Sequence, residues 1–222
     1  MLTVHHLENS RSQRVLWLLE ELGVDYEVQR YQRNPDTSLA PPELLAVHPL
    51  GKSPVISDDG EVVAETGAII EYLTEQYGQG RLVPADPVNK KAYRYWMHAA
   101  EGSVMPLLVM TLVFNKVETA PMPFFIRPIA KGISGKVKGS FINPSLQRVL
   151  DHIEQSLGAT GWFAGPTMTA ADVMMSFPVE AAAARSGLES KYPNMRDFLK
   201  RIHALPTYQA ALERGGPYEL MS

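Results

Sequence analysis

The chain has 222 residues, 45% hydrophobic and 20% charged, with a formal charge of −3; that is ordinary globular composition, enough for one large or two small domains, and it does not point to nucleic acid. It contains no cysteine, which excludes disulfides, thiolate metal sites and a cysteine nucleophile of its own. No uninterrupted apolar run reaches the roughly 18 residues of a bilayer span, and residues 1–7 lack the form of a secretory signal, so the expectation is a cytoplasmic protein without a membrane partner.

Residues 2–7 are short and β-compatible. Val15, Leu18, Leu19 and Leu22 then fall at i, i+3, i+4, i+7, the stripe of an amphipathic helix, and Gly23 follows where a positive φ ends a helix well. Residues 25–32 alternate like a strand, and residues 41–47 suit a helical turn. Residues 54–57 and 61–64 flank Asp58-Asp59-Gly60, a hairpin signal. Ile69, Ile70, Tyr72, Leu73 and Tyr77 give the next helix a broad apolar face. The order is β-α-β-α-β-β-α over residues 1–80, an α/β unit.

Residues 81–88, rich in proline, are expected to be a linker. Residues 89–222 read as an all-helical domain. One long helix covers 90–112, with a kink expected at Pro106. Residues 118–144, rich in Pro and Gly, are expected to be irregular. Helices follow from 144, 169 and 193. The charge changes sign with the composition. Residues 1–80 hold five Lys/Arg against 13 Asp/Glu, and residues 81–222 hold 16 against 11. The positive excess is concentrated in 115–148, where six cations face Glu118 alone.

Several chemistries are poorly supported. The six histidines contain no pair at helical i, i+3 or i, i+4 spacing, and adjacent His5 and His6 in a strand point to opposite faces, so no metal site is expected. A serine-hydrolase elbow is missing.

Three segments of the first half carry more. Ser10-Arg11-Ser12-Gln13-Arg14 precedes the first helix. Its S-x-x-Q spacing reads as a capping box, yet a capping hydroxyl still has a proton to donate at the positive end of a helix. Residues 48–56 (HPLGKSPVI) place Ser53-Pro54 at a strand start. A cis bond there would turn the Ser53 backbone outward to pair with an extended peptide, and Lys52 beside it suits a carboxylate. Glu65-Thr66 opens the next helix, where free N–H groups suit a second carboxylate and Glu65 suits an amine. Together these features describe a γ-Glu-Cys-Gly tripeptide, glutathione.

On these motifs, SRSQRVLWLLEELG, HPLGKSPVI and ETGAIIEYL, the chain resembles the soluble glutathione S-transferases, in particular serine-type members of bacterial and fungal branches. Thr169-Ala170-Ala171-Asp172 is similar to that family's buried N-capping box, with Met168 and Val173 placed as a hydrophobic staple. The resemblance implies a thioredoxin-like N-terminal domain, an all-α C-terminal domain, a homodimer and glutathione as cosubstrate. It implies Ser10 at the glutathione sulfur, with Asn9 and Ser12 as alternatives. Ser53 would pair by its backbone beside a cis Pro54, Glu65 and Thr66 would hold the γ-glutamyl end, and Lys52 the glycine carboxylate. A small hydrophobic electrophile would lie on Tyr95, Met105, Val109 and Phe114. Transfer to that electrophile, disulfide or peroxide reduction with two glutathiones, and simple ligand binding all remain open at this point.

Overall fold

The computed structural model describes residues 1–186 and 191–220. A four-stranded sheet has the order β2-β1-β3-β4, built from β1 (Leu2–Leu7), β2 (Glu27–Tyr31), β3 (Val55–Asp58) and β4 (Glu61–Ala64). β1 runs parallel to β2, with Val4 opposite Val28, and antiparallel to β3, with Val4 opposite Ile56. The parallel step needs a crossover, and α1 (Gln13–Leu22) supplies it. Gly23, at φ 64°, ends that helix and donates its N–H to Glu20. The Asp59-Gly60 turn joins β3 to β4, both residues at positive φ. Two more helices, α2 (Glu43–Val47) and α3 (Thr66–Gln76), complete this α/β unit.

The rest of the described chain is helical: α4 (Pro87–Ala99), α5 (Met105–Thr119), α6 (Arg127–Val137), α7 (Asn143–Thr160), α8 (Ala170–Ser186), α9 (Pro193–His203) and α10 (Pro206–Gly215). Asp86 caps α4 by accepting the Asn89 N–H at 2.8 Å. Two π turns, Ala100–Val104 and Lys138–Ile142, lead into α5 and α7. Each stands just ahead of a proline, Pro106 or Pro144. A proline has no N–H and crowds the carbonyl four residues back, so the backbone widens there into a π turn. The stretch expected to be irregular therefore contains α6 and a π turn. Its glycines cost helix propensity, and α6 forms against α5, where Ser134 Oγ donates to the Phe114 carbonyl at 3.0 Å.

The helical run Pro87–Thr119 includes an 18-residue window of mean hydropathy 1.4, apolar enough by length and composition to cross a bilayer. In this fold its inner face packs on α8, and Trp96, Met97, Val104 and Leu108 are buried in the core.

The core is continuous from sheet to bundle. Leu16, Trp17, Leu18 and Leu19 of α1 are completely buried, as are Ile69 and Ile70 of α3 and Met175 and Val179 of α8. α10 lies across α1 so closely that a Cβ at Gly215 would sit 2.8 Å from Gln13 Oε1 and 2.9 Å from Leu16 Cδ1. At the start of α8, Asp172 is fully buried and accepts from Phe163 N at 2.8 Å, Thr169 N at 2.7 Å and Thr169 Oγ1 at 2.9 Å. Burial pushes its carboxyl up to about 6, while these three donors pull the other way.

Candidate active site

The cleft between the α/β unit and the helical bundle has two parts. The larger, about 520 Å³, has Asn9, Ser10, Arg11, Lys52 and Ser53 on one wall and Met105, Val109, Leu112 and Phe177 on the other. Leu39, Pro41, Leu45 and Leu50 extend its apolar side, and Leu220 closes one edge. The smaller part, about 230 Å³, is polar and is lined by His48, Pro54, Glu65, Thr66 and Glu101. Arg11, Leu50, Lys52 and Ser53 border both.

The loop between β1 and α1 delivers Ser10. The expected capping box does not form. α1 begins at Gln13 with Ser12 at its N-cap, and the buried Gln13 amide has no hydrogen-bond partner among the described residues. Ser10 Oγ instead accepts the Ser12 N–H at 3.3 Å and lies 2.7 Å from Ser12 Oγ. Ser10 reaches the cleft, as does Asn9, whereas Ser12 is fully buried behind it. Asn9 has a positive φ of 50°, and its Oδ1 accepts the Glu219 N–H at 2.6 Å.

The Ser53–Pro54 peptide is cis. Ser53 Oγ donates to the His5 carbonyl at 2.8 Å and accepts the Leu7 N–H at 3.2 Å. These bonds fix Ser53 to β1 through its side chain. Glu65 has φ 73° and ψ 127° at the N-cap of α3. That region is costly for a residue with a Cβ, and such strain gathers where ligands bind. It leaves the first N–H groups of α3 at the polar end of the cleft, since a helix cannot pair them itself.

Arg14 holds the floor. It is fully buried, and its guanidinium donates to the Met174 carbonyl at 2.7 Å, Thr66 Oγ1 at 3.2 Å and Glu101 Oε1 at 2.5 Å. Burial pushes the guanidinium below its ordinary pKa, and Glu101 opposes that shift. A cation in the first turn of a helix also meets the positive end of the dipole, a second reason for a carboxylate partner. Arg11 Nε lies 3.2 Å from the other oxygen of Glu101. Both guanidinium groups approach the Phe177 ring, at 5.7 and 5.4 Å from its centroid.

Of the residues expected from sequence, Ser10, Lys52, Ser53, Pro54, Glu65, Thr66, Met105 and Val109 come together in this cleft. Tyr95 and Phe114 stand apart. Tyr95 borders a different depression between α4 and α7, edge-on to Trp96 and His152. Phe114, half-buried on α5, is absent from the cleft's lining, and its carbonyl accepts from Ser134 Oγ. The basic stretch 115–148 supplies none of the cleft's lining among the described residues, and Lys138 is paired with Glu118 at 2.6 Å. Sequence reasoning missed Glu101, Leu112, Phe177 and Leu220 as lining residues. Glu101 had a signal, an acidic residue inside the most apolar helical stretch of the chain; the other three look like core.

The N-terminal domain model of glutathione S-transferase matches residues 10–76, and the C-terminal domain model matches residues 125–214. Glutathione S-transferase 3 of Schizosaccharomyces pombe is 34% identical over 96% of this chain and 88% of its own length. This chain is a member of the glutathione S-transferase family. The crystal structure of a glutathione S-transferase from Actinobacillus pleuropneumoniae superposes with a TM-score of 0.79 at 32% identity, covering 97% of this chain and 93% of that one. A glutathione transferase homologue from Sulfitobacter with bound glutathione shares the fold at a TM-score of 0.77 and 18% identity, over 97% and 98% of the two chains. The thioredoxin-like sheet and helical bundle are thus those of this family.

Proposed function

We propose that this glutathione S-transferase family member binds glutathione in the cleft and activates its thiol for attack on small hydrophobic electrophiles. The observation that carries the reading is the joined cleft. Its polar end offers partners for two carboxylates and an amine, its apolar end accepts an uncharged molecule, and Ser10 lines the larger part next to Arg11, which borders both. Lys52 meets the glycine carboxylate, the Ser53 backbone beside Pro54 pairs with the cysteinyl unit, and Glu65 with the N–H of Thr66 receives the γ-glutamyl end. The Thr66 hydroxyl is already engaged by Arg14, which leaves the N–H for ligand. Met105 and Val109 form the electrophile's bed, joined by Phe177; Tyr95 and Phe114 take no part.

A free thiol with a pKa of about 8.5 is mostly protonated at neutral pH. A hydrogen bond from Ser10 and the cations Arg11, Arg33 and Lys52, all of which line the larger part of the cleft, favour the thiolate. The thiol proton leaves to solvent. The thiolate then forms the new S–C bond, and the leaving group departs, or the electron pair moves onto the acceptor in an addition. Positioning and charge stabilisation do the catalytic work, because the nucleophile belongs to the cosubstrate. We further infer a cytoplasmic homodimer, checked by sedimentation.

Ser10→Ala tests the assignment. It should raise the pKa of bound glutathione and lower turnover, with glutathione affinity held within a few-fold. Unchanged turnover refutes a role for Ser10. A panel of electrophiles, peroxides and disulfides assayed together separates conjugation from reduction by two glutathiones. A bound thiol with an unshifted pKa would identify a binding protein instead.

A further inference from the structure

Behind Ser10 runs a chain of polar groups that the sequence did not announce. His6 Nδ1 lies 2.9 Å from Ser12 Oγ, and Ser12 Oγ lies 2.7 Å from Ser10 Oγ. His6 is on β1 and 2% exposed, Ser12 is completely buried, and only Ser10 touches the cleft. α10 seals the inner end: a Cβ at Gly215 would stand 3.3 Å from His6 Cε1.

Each hydroxyl has one proton, so the chain runs in one of two directions. If His6 Nδ1 is bare, Ser12 donates to it and Ser10 donates to Ser12. Ser10 then shows the cleft only lone pairs, which repel a thiolate. If His6 carries its proton on Nδ1, it donates to Ser12, Ser12 donates to Ser10, and the Ser10 proton is left for the cleft. The competing acceptor for Ser12 is the Leu7 carbonyl, more distant at 3.3 Å. Ser10 Oγ also accepts the Ser12 N–H, which fills its second lone pair and leaves donation as its free capacity.

We propose that His6, as the Nδ1–H tautomer, and Ser12 are positioning residues that aim the Ser10 hydroxyl proton at the glutathione sulfur through a one-directional chain His6→Ser12→Ser10. The proposal rests on the assignment of Ser10 to the sulfur. Bonds in series polarise one another, so the chain strengthens the last donation as well as directing it. Burial pushes the His6 imidazole down to about 4, helped by Arg30 on β2 and opposed by Glu8. It therefore stays neutral above that pH, and its tautomer, rather than its charge, carries the effect. The charged groups facing the cleft end are Arg11, Arg33 and Lys52. His48, Glu65 and Glu101 also line the polar part of the cleft, so the thiolate's own absorbance, rather than a pH–rate profile, reports the thiol.

The experiment has two arms. Nitrogen-15 NMR of His6 in the protein without glutathione reads the tautomer; a proton on Nδ1 is expected, and a proton on Nε2 alone overturns the chain's direction. The ultraviolet absorbance of the bound thiolate, titrated in wild type, Ser10→Ala, Ser12→Ala and Ser12→Thr, reads the consequence. Ser12→Ala should raise the thiol pKa by about one unit, a tenfold loss of thiolate at pH values well below it. kcat/KM should fall in step while KM for glutathione stays within twofold, and Ser12→Thr should restore both. Thermal melts confirm that each variant is folded. If Ser10→Ala shifts the thiol and Ser12→Ala does not, the relay fails while the Ser10 assignment stands. If neither shifts it, the Ser10 assignment itself is refuted, and the tautomer still decides the direction of the chain.

Discussion

Replacing Arg14 by methionine tests whether one side chain joins the two halves of the molecule. Methionine keeps much of the volume and removes every donor. The lost bonds are two main ones to neutral acceptors, Met174 O and Thr66 Oγ1, one to the Glu101 carboxylate, and two long ones of little weight, to Met174 Sδ at 3.4 Å and the Arg11 carbonyl at 3.5 Å. Neutral bonds contribute about 1 kcal/mol each, and a charged one about 1.5–3 kcal/mol. The Glu101 side chain is 33% exposed and keeps Arg11, so water and that second cation recover part of the charged bond. Removing a buried guanidinium also relieves its desolvation cost. The net expected loss is about 2–3 kcal/mol, read as a lower midpoint in urea denaturation. Adding Glu101→Gln removes the orphaned carboxylate, so the double variant should lose less than the two single losses added together. Arg14→Lys should rescue little, since an ammonium cannot reach three separated acceptors as a planar fork does. A loss below about 0.5 kcal/mol, or a gain of the kind seen when buried ion pairs give way to apolar packing, would refute the reasoning.

Asp172→Ala should destabilise the protein by about 1–3 kcal/mol, because Phe163 N, Thr169 N and Thr169 Oγ1 lose their buried acceptor. The Asp172 carboxyl is raised from 3.8 to about 6, so its protonation-linked stability is fully present below about pH 4 and lost as the pH rises through about 6. The gap between wild type and variant in chemical denaturation should therefore be widest near the low end and narrow toward neutrality; a gap that widens with pH contradicts this. Tyr218→Phe should loosen the segment that holds Leu220 at the cleft edge, since Tyr218 OH donates to Glu180 Oε2 at 2.7 Å. A bond to a carboxylate contributes about 1.5–3 kcal/mol, so KM for an apolar electrophile should rise about tenfold or more, with the glutathione KM unmoved. An electrophile KM unchanged by the substitution would remove that segment from specificity.

The order of strands and helices in the first half was legible because each element there is short and marked. Gly23 ends α1, Asp59-Gly60 turns the hairpin, and the alternation in β2 has the period of a strand. The helix α6 was hidden because its two glycines speak against a helix locally, and packing on α5 overrides them. The polar side of the cleft was legible because its residues sit in contiguous motifs. The apolar side was not. Met105, Val109, Leu112 and Phe177 look like any core residue, and which residues of α5 face the cleft depends on how the long helix is phased through the π turn over Ala100–Val104. Tyr95, ten residues before Met105, falls on another side for that reason. The His6–Ser12 contact was out of reach too, because alternation assigns His6 to a face but not to a neighbour.

The π turn over Ala100–Val104 has a consequence for how this cleft can change. A residue gained or lost in a helix turns everything beyond it by about 100°. Glu101 lies within the turn and Met105, Val109 and Leu112 lie after it. Loss of a single residue here, at Gly102 for instance, would leave Glu101, which precedes it, against Arg14 and swing the apolar wall toward solvent, presenting a different row of α5 to whatever enters. The opposite wall would be untouched. A length change of one residue is thus a larger step in substrate preference than many point substitutions, and it separates the variable wall of the cleft from the one that would recognise glutathione.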